Sequence, residues 1–363
     1  MKRFLSYIFP ITVTVFIILF PENSISYAKS AMTLCADVIV PSLFPFFVCS
    51  GLLIYSGLTG AISRIAGPVM RPVFNVGGPG ASALVLGVLS GYPLGAVTAC
   101  QLYDSGYLSK TETERLLAFC NNSGPLFILG VVGSAIYSSV KIGAILYSTH
   151  ILSTLLVGIL FRFYKSNKHV APTYTINQNN GSFPEIFATV LANSVSSILT
   201  ICGAVIFFGV ISGIVTTHLP CDDIVKSVIT GILELTGGTK AISNTSLSLT
   251  TKLTLSAFTV GFAGICVHIQ VASVVAKHHL SLLPYIWGKI LHGTLSAGFT
   301  FLYFLLFPPE VQVFNASSAP MSIGFCMSSA YSIIAIALFA VFGALSTFFA
   351  FHSISAIKNK LQK

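Results

Sequence analysis

The sequence predicts an all-α polytopic membrane protein built from two inverted repeats. Of its 363 residues, 54% are hydrophobic and only 8% are charged. The hydrophobic residues form runs of about 20, the length that a helix needs to cross a bilayer. Glycine and proline interrupt several of these runs near their middle. Because soluble domains carry about 25% charged residues, a chain of this composition could not cover a soluble surface.

The formal net charge of +9 is explained by membrane topology, because the basic residues lie in short loops and cytoplasmic loops are enriched in Lys and Arg. A nucleic-acid partner is therefore not predicted.

The eight cysteines form no CxxC pair and the eight histidines form no HExxH motif, so neither a disulfide framework nor a metal site is predicted. No set of acid, base and nucleophile is recognisable. We expect a protein that is not an enzyme and needs no cofactor.

Ten apolar segments follow one another along the chain. Lys2 and Arg3 precede the first, and residues 26–28 form a passable cleavage site, so a cleaved signal peptide and an uncleaved first span both stay open. We favour the uncleaved span. The segments cover residues 4–20, 36–58, 79–103, 112–137, 141–161, 186–217, 223–244, 250–276, 282–307 and 328–352.

Two segments are predicted to be re-entrant hairpins, which enter and leave the membrane on one side. Segment 79–103 is broken at residues 90–95, and segment 223–244 is broken at residues 236–238. Each arm has about eleven residues, or about half a bilayer. Eight segments then cross, and both termini are cytoplasmic. Loop Lys and Arg residues divide thirteen to four in favour of the cytoplasm, leaving outside only Lys29, Lys141, Lys226 and Lys252.

The order of segments repeats around a polar linker at residues 165–184. Each half has a span, a hairpin and two further spans, and similar residues recur at an offset of 139. Because each half crosses three times, the second is inverted, as in many transporters. The predicted units are an N-terminal span (1–31), a first repeat (32–164), the cytoplasmic linker (165–184), the inverted second repeat (185–307), and a C-terminal span with a basic tail (308–363).

Four interruptions at similar depth predict a ligand site at the midplane. Besides the two hairpin tips, spans are broken at residues 120–125 and 259–264. Irregular backbone in a membrane is tolerated only inside protein or beside a polar cavity, and freed helix N-termini suit a carboxylate. The competing interpretation is that the glycines and polar groups serve helix packing. The predicted substrate-binding residues are Ser90, Gly91, Tyr92, Pro93, Asn121, Asn122, Ser123, Thr236, Gly237, Gly238, Thr239, Lys240 and Gly261.

Charged side chains within the apolar segments have separate predicted roles. Lys240 is a candidate for contact with an anion, because a cation at this depth is costly; the alternative is a lysine whose head reaches the interface. Glu234 could bind a proton, a coupling cation or Lys240. Lys289 and His292 lie one turn apart on a later span, and we expect them to be interfacial or packed.

Several motifs resemble the YlbJ/SpoVV family of sporulation integral membrane proteins. They are IVPSLFPFF at 39–47, PVMRPVF at 68–74, SGYPLGA at 90–96 and NNSGPLF at 121–127. The resemblance covers residues 35–305 and is strongest over 38–130. That family belongs to the nucleoside-recognition, or gate, group and is similar in plan to concentrative nucleoside transporters. The resemblance implies that Gly91, Tyr92, Pro93 and residues 121–123 face the substrate.

The resemblance also implies a substrate. The family is implicated in moving dipicolinic acid, a small aromatic dianion, across the mother-cell-derived outer forespore membrane. Nucleoside transporters carry Gln-Thr-Glu where this chain has Ser-Gly-Tyr-Pro, which argues against a nucleoside. Transport of a nucleoside or another small metabolite, and a non-transporting scaffold or sensor, stay open as alternatives. The oligomeric state and driving ion are also open, although similarity to nucleoside transporters suggests a homo-oligomer.

Overall fold

The computed structural model describes residues 2–53, 59–165 and 182–308. Every secondary-structure element within these ranges is a helix, which confirms the predicted class. The predicted C-terminal span at 328–352 and nearly all of the linker at 165–184 lie outside the described residues.

The first two predicted spans are joined by helix. Helix α1 (Lys2–Leu19) is followed by α2 (Pro21–Leu34), and a π-helical turn (Cys35–Ile39) continues directly into α3 (Val40–Leu53). The bend between α1 and α2 is 105°. Segment 21–34 is too polar to resemble a span, but proline suits the first turn of a helix. Tyr27 also hydrogen-bonds Thr217 on a distant helix.

The rest of the first half follows the predicted order. After α4 (Thr59–Phe74), the hairpin arms α5 (Gly80–Ser90) and α6 (Leu94–Asp104) pack against each other. The chain then forms α7 (Lys110–Leu117), non-helical residues 118–124, a π-helix (Leu126–Ile136) and α8 (Val140–Phe161). Both interruptions of this half therefore lie where the sequence predicted them.

The second half has the same order of elements, but its breaks are shorter than predicted. It contains α9 (Phe183–His218), the arms α10 (Asp223–Leu233) and α11 (Leu235–Ser243), α12 (Leu249–Phe262), α13 (Gly264–Val275) and α14 (Leu283–Leu306). The hairpin turns at Glu234, whereas residues 236–238 are helical, so the predicted position of this break is wrong. The later break is reduced to Ala263, whose φ is 76°.

Equivalent caps support the sequence offset between the halves. The side chain of Ser109 accepts a hydrogen bond from the Glu112 amide at the start of α7. Ser248, 139 positions later, accepts one from the Thr251 amide at the start of α12. Serine is a favoured N-cap because its oxygen satisfies an amide that the helix leaves unpaired. Helices α7 and α12 therefore begin at positions related by the offset of 139, while the inverted repeat itself stays a prediction.

Four helices within the described ranges are long and apolar enough to cross a membrane, and the bent pair Pro10–Leu19 and Pro21–Asp37 makes up to five. The four are Val140–Phe161, Phe183–His218, Leu249–His278 and Leu283–Leu306. The chain is thus suited to crossing a membrane several times, while the count of eight crossings stays a prediction. Helices α8, α12 and α14 pack together, and this centre of the molecule supports the site described next.

Candidate substrate cavity and buried polar network

A cavity lies where the two hairpin tips and the first broken helix meet. Its volume is about 60 Å³, several times the about 10–15 Å³ that one water molecule needs. Apolar residues of the π-helical turn after α2, of α3, of α9 and of the π-helix form much of its wall. The polar residues that line it are Ser90, Tyr92, Ser123, Glu234, Thr236 and Gln270.

The cavity brings together part of the predicted substrate site. Ser90, Gly91, Tyr92, Ser123 and Thr236 line it, although the sequence separates the first and last by more than a hundred residues. The other predicted positions do not line it: Pro93, Asn121, Asn122, Gly237, Gly238, Thr239, Lys240 and Gly261. Most of these support the cavity from behind or join one helix to another.

The first hairpin tip rests on the first broken helix. Gly91 ends α5 with φ of 83°, a conformation that favours glycine. A Cβ atom at Gly91 would lie 2.9 Å from the backbone nitrogen of Gly124, so the two backbones are in close contact. Pro93 then precedes α6. Ser90 is 2% exposed and lines the cavity, and its buried hydroxyl has no hydrogen-bond partner among the described residues.

The second hairpin tip is organised by the Glu234 carboxylate. Its two oxygens accept hydrogen bonds from the amides of Thr236 at 2.8 Å and Gly237 at 2.6 Å. An acidic side chain at this position satisfies the unpaired amides of α11 and complements the helix dipole. Glu234 is buried and lines the cavity. The turn therefore lies at this residue, and the glycines that follow can remain helical.

The other predicted residues of the second half serve helix packing. A Cβ atom on Gly238 would overlap the backbone of Gly231, so these glycines let α10 and α11 approach closely. A Cβ atom on Gly261 would lie 2.7 Å from the Cα atom of Gly293 in α14. The Thr239 hydroxyl donates to the Leu235 carbonyl one turn earlier. Lys240 lies on an exposed face of α11 and does not line the cavity, so its contact with an anion stays a prediction.

Asn121 and Asn122 are buried behind the cavity, where they fix the non-helical segment. The Asn121 side-chain oxygen accepts the Ala96 amide of the first hairpin at 3.4 Å. The Asn122 amide group donates to the Phe119 carbonyl at 2.9 Å, and its oxygen accepts from the Thr154 hydroxyl at 2.7 Å. These bonds satisfy polar groups that would be costly if left unpaired in an apolar interior.

Lys289 is buried at the centre of this network. Its side-chain nitrogen lies 3.2 Å from the Tyr92 hydroxyl, 3.1 Å from the Asn121 carbonyl oxygen and 3.0 Å from Nδ1 of His292. The Tyr92 hydroxyl also donates to the Val260 carbonyl in α12 at 3.0 Å. Lys289 thus joins α14 to the first hairpin tip and to the first broken helix.

Two histidines extend the network from α14 to α8. Nε2 of His292 lies 3.0 Å from the His150 carbonyl oxygen and 3.1 Å from the Thr154 hydroxyl. The Ser123 amide donates to Nε2 of His150 at 3.2 Å. The two imidazole rings are 4.2 Å apart. The backbone around the cavity is therefore held by side chains from both halves.

Sequence reasoning underestimated Lys289 and His292. We expected packed or interfacial residues, and they are packed, but their contacts extend to the cavity-lining Tyr92. The available signal was a lysine and a histidine three residues apart in an otherwise apolar helix, which places both on one face. Ionisable residues inside a membrane segment generally face the protein interior. Their partners could not be read from the sequence because they lie on the first hairpin tip, on α8 and on the first break.

Comparison with known proteins identifies the family. The model of the gate domain, described as nucleoside recognition, matches residues 36–217. The chain is 30% identical over 355 residues to the sporulation integral membrane protein YlbJ of Bacillus subtilis (strain 168), and the match covers 86% of each chain. No solved structure matches. The apolar helices and this relative describe a multi-pass integral membrane protein, and the chain belongs to the YlbJ family of sporulation integral membrane proteins with a nucleoside-recognition gate domain.

Proposed function

We propose that this protein is a secondary transporter of dipicolinic acid during spore formation. The two halves, inverted relative to each other, would expose the central cavity to each side of the membrane in turn. The observation that carries the proposal is the cavity itself, which is enclosed by both hairpin tips and by the first broken helix. Transporters commonly bind substrate where discontinuous helices of two repeats meet.

The lining of the cavity suits a small aromatic carboxylate. Phe47, Tyr92 and Phe127 supply aromatic surface, and the hydroxyls of Ser90, Ser123 and Thr236 are hydrogen-bond donors for carboxylate oxygens. The sporulation name of the relative supports a role in spore formation. The identity of dipicolinate comes from the family resemblance, which also implies the outer forespore membrane. The distribution of Lys and Arg between the loops predicts that both termini are cytoplasmic.

Glu234 is the proposed site of the driving ion. It is a buried carboxylate at the turn of the second hairpin, and it lines the cavity. A buried acid in a transporter commonly carries a proton or pairs with a cation. We therefore propose that a proton or coupling cation binds here as dipicolinate enters the cavity.

The test is uptake of radiolabelled dipicolinate into proteoliposomes that contain the purified full-length protein. Ser90→Leu should fill the cavity and lower uptake at least tenfold, because the added side chain occupies the space of the substrate. Ser148→Leu is the matched control, since Ser148 is exposed on α8, and it should retain uptake. Equal uptake by the two variants would contradict the proposed site.

A second candidate is transport of a nucleoside, which the description of the matching gate model favours. Adding a panel of unlabelled nucleosides to the same vesicles separates the two substrates, because only the true substrate class should compete with or replace dipicolinate. A non-transporting scaffold or sensor, the third candidate, predicts that the wild-type protein accumulates no member of the panel.

A further inference from the structure

The hydrogen-bond partners of Lys289 favour a positively charged side chain. The Asn121 carbonyl oxygen can only accept a hydrogen bond. The Tyr92 hydroxyl uses its own hydrogen for the Val260 carbonyl, so it accepts from Lys289. An ammonium has three hydrogens, so it can donate to these two acceptors and to His292 together.

His292, the third partner of Lys289, also indicates a positive charge. His292 places Nε2 beside the His150 carbonyl oxygen, which requires a hydrogen on Nε2. In a neutral imidazole Nδ1 then has a lone pair and accepts from Lys289. His150 is also neutral, since its Nε2 accepts the Ser123 amide. One positive charge therefore belongs to the pair of Lys289 and His292.

No acidic group offsets this charge directly among the described residues. All three hydrogen-bond partners of Lys289 are neutral, and no ion pair to it is present within the described ranges. Glu234 lines the same cavity, but both of its oxygens are engaged by amides at the N-terminus of α11, whose dipole already offsets a negative charge. Lys289 is thus less compensated than Glu234, the other buried ionisable group next to the cavity.

The ammonium lies directly behind the cavity wall. Its nitrogen is 5.1 Å from the centre of the Tyr92 ring, and Tyr92 lines the cavity. Charges in a protein interior interact more strongly than in water, because the effective dielectric constant is lower. The positive charge therefore acts on whatever molecule occupies the cavity next to Tyr92.

We infer that Lys289 is a specificity-determining residue that makes the cavity select a negatively charged molecule. This inference rests on the proposed transport function and deepens it by assigning the charge preference to one side chain. Lys289 does so from behind Tyr92, without lining the cavity itself. The exposed Lys240, which the sequence suggested for this role, lies on the outside of α11.

The experiment compares charged and neutral probes in three forms of the full-length protein. The probes are dipicolinate and its uncharged analogue pyridine-2,6-dimethanol, with binding measured by equilibrium dialysis in detergent and transport measured in proteoliposomes. Lys289→Met removes the charge and keeps most of the side-chain volume, whereas Lys289→Arg keeps the charge. Lys141→Met removes an exposed lysine at the start of α8 and is the matched control.

We expect the wild-type protein and Lys141→Met to bind dipicolinate at least tenfold more tightly than the neutral analogue. Lys289→Met should reduce this ratio at least tenfold, and Lys289→Arg should preserve at least part of it. The inference would be overturned if Lys289→Met left the ratio unchanged. It would also be overturned if a Lys289→Met protein that remains monodisperse lost binding of both probes equally.

Failure of the transport proposal has a different signature. If the wild-type protein moves no dipicolinate, the same dialysis is run with a panel of small anions, cations and neutral metabolites. Preferential binding of an anion that depends on Lys289 supports the inference even then. Preferential binding of a cation or neutral molecule overturns it, even if that molecule is transported.

Discussion

At the scale of single residues, the Tyr92 hydroxyl connects the cavity wall to the buried charge. It accepts a hydrogen bond from Lys289 and donates one to the Val260 carbonyl. Tyr92→Phe would keep the ring and leave both partners with one bond fewer. Because a hydrogen bond to a charged group is worth about 1.5–3 kcal/mol, we expect the free energy of unfolding to fall by about that amount. Denaturant titration in mixed micelles, followed by circular dichroism, measures it.

Tyr147→Phe provides the control for this prediction. The Tyr147 hydroxyl donates to the Val88 carbonyl at 3.3 Å, so the variant also loses a bond to a backbone carbonyl. The free energy of unfolding of Tyr147→Phe should fall by a smaller amount, about 0.5–1.5 kcal/mol, as for neutral hydrogen bonds. Equal losses in both variants would show that the ammonium adds nothing to the Tyr92 bond.

Glu234 caps α11 and is also the proposed site of the driving ion, and one substitution can separate these two roles. Glu234→Gln keeps the size of the side chain but replaces one acceptor oxygen with an NH₂ group, which would face an amide donor of α11. We expect the free energy of unfolding to fall by about 1–2 kcal/mol, the range for a lost N-cap. If Glu234 also carries the driving proton, uptake by this variant should no longer respond to an imposed pH gradient.

Ser109→Ala is the control for Glu234→Gln, because Ser109 caps α7 away from the cavity. It should lower stability by a similar amount, about 1 kcal/mol, and leave the response to pH intact. A pH response that persists in Glu234→Gln would contradict the coupling role while leaving the capping role in place.

At the scale of helices, the second hairpin depends on the contact between Gly231 and Gly238. A Cβ atom on Gly238 would overlap the Gly231 backbone, so Gly238→Ala would push α10 and α11 apart. Overpacking of this kind costs about 1–3 kcal/mol, and we expect the melting temperature to fall accordingly. Circular dichroism melts of the detergent-solubilised protein measure the change.

Gly203→Ala is a control that should change the stability in the opposite direction. Gly203 lies within α9, and a Cβ atom there would meet nothing within 4 Å. Alanine is preferred over glycine in a helix by about 0.5–1 kcal/mol, so this variant should be slightly stabilised. Destabilisation by both substitutions would show that helix packing around Gly238 is not the cause.

The two hairpins show what helix breakers can and cannot predict. In the first hairpin, Gly91 and Pro93 lie at the turn, and the prediction from the sequence is confirmed. In the second, Gly237 and Gly238 lie inside α11, and the turn falls at Glu234. Glycine permits a break and equally permits close helix contact. The sequence alone does not distinguish these uses, because the deciding neighbour, Gly231, belongs to another helix.

At the scale of the whole molecule, the composition was enough to predict the all-helical membrane class. The residues of the candidate site could be located only once the fold was known. Long apolar runs predict membrane helices because, in hydrocarbon, a helix is one of the few structures that satisfy every backbone hydrogen bond. The residues that hydrogen-bond a buried charge follow no such regular pattern in the sequence. Lys289 on α14 meets Tyr92 and Asn121 of the first half, about 170–200 positions away. Only the packing of one half against the other brings these groups together.

The inversion of the two halves leads to a prediction about which side of the membrane each loop faces. Ser105 and Asn244 are exposed, lie 139 positions apart, and precede the equivalent helices α7 and α12. Because each half is predicted to cross three times, Ser105 should be cytoplasmic and Asn244 external. We would introduce Ser105→Cys or Asn244→Cys into a variant without native cysteines, express it in the plasma membrane of non-sporulating cells, and label these intact cells with a membrane-impermeant maleimide. Asn244→Cys should react at once, whereas Ser105→Cys should react only after permeabilisation. Labelling of both positions from one side would exclude the inverted arrangement, and with it the symmetry on which alternating access is proposed.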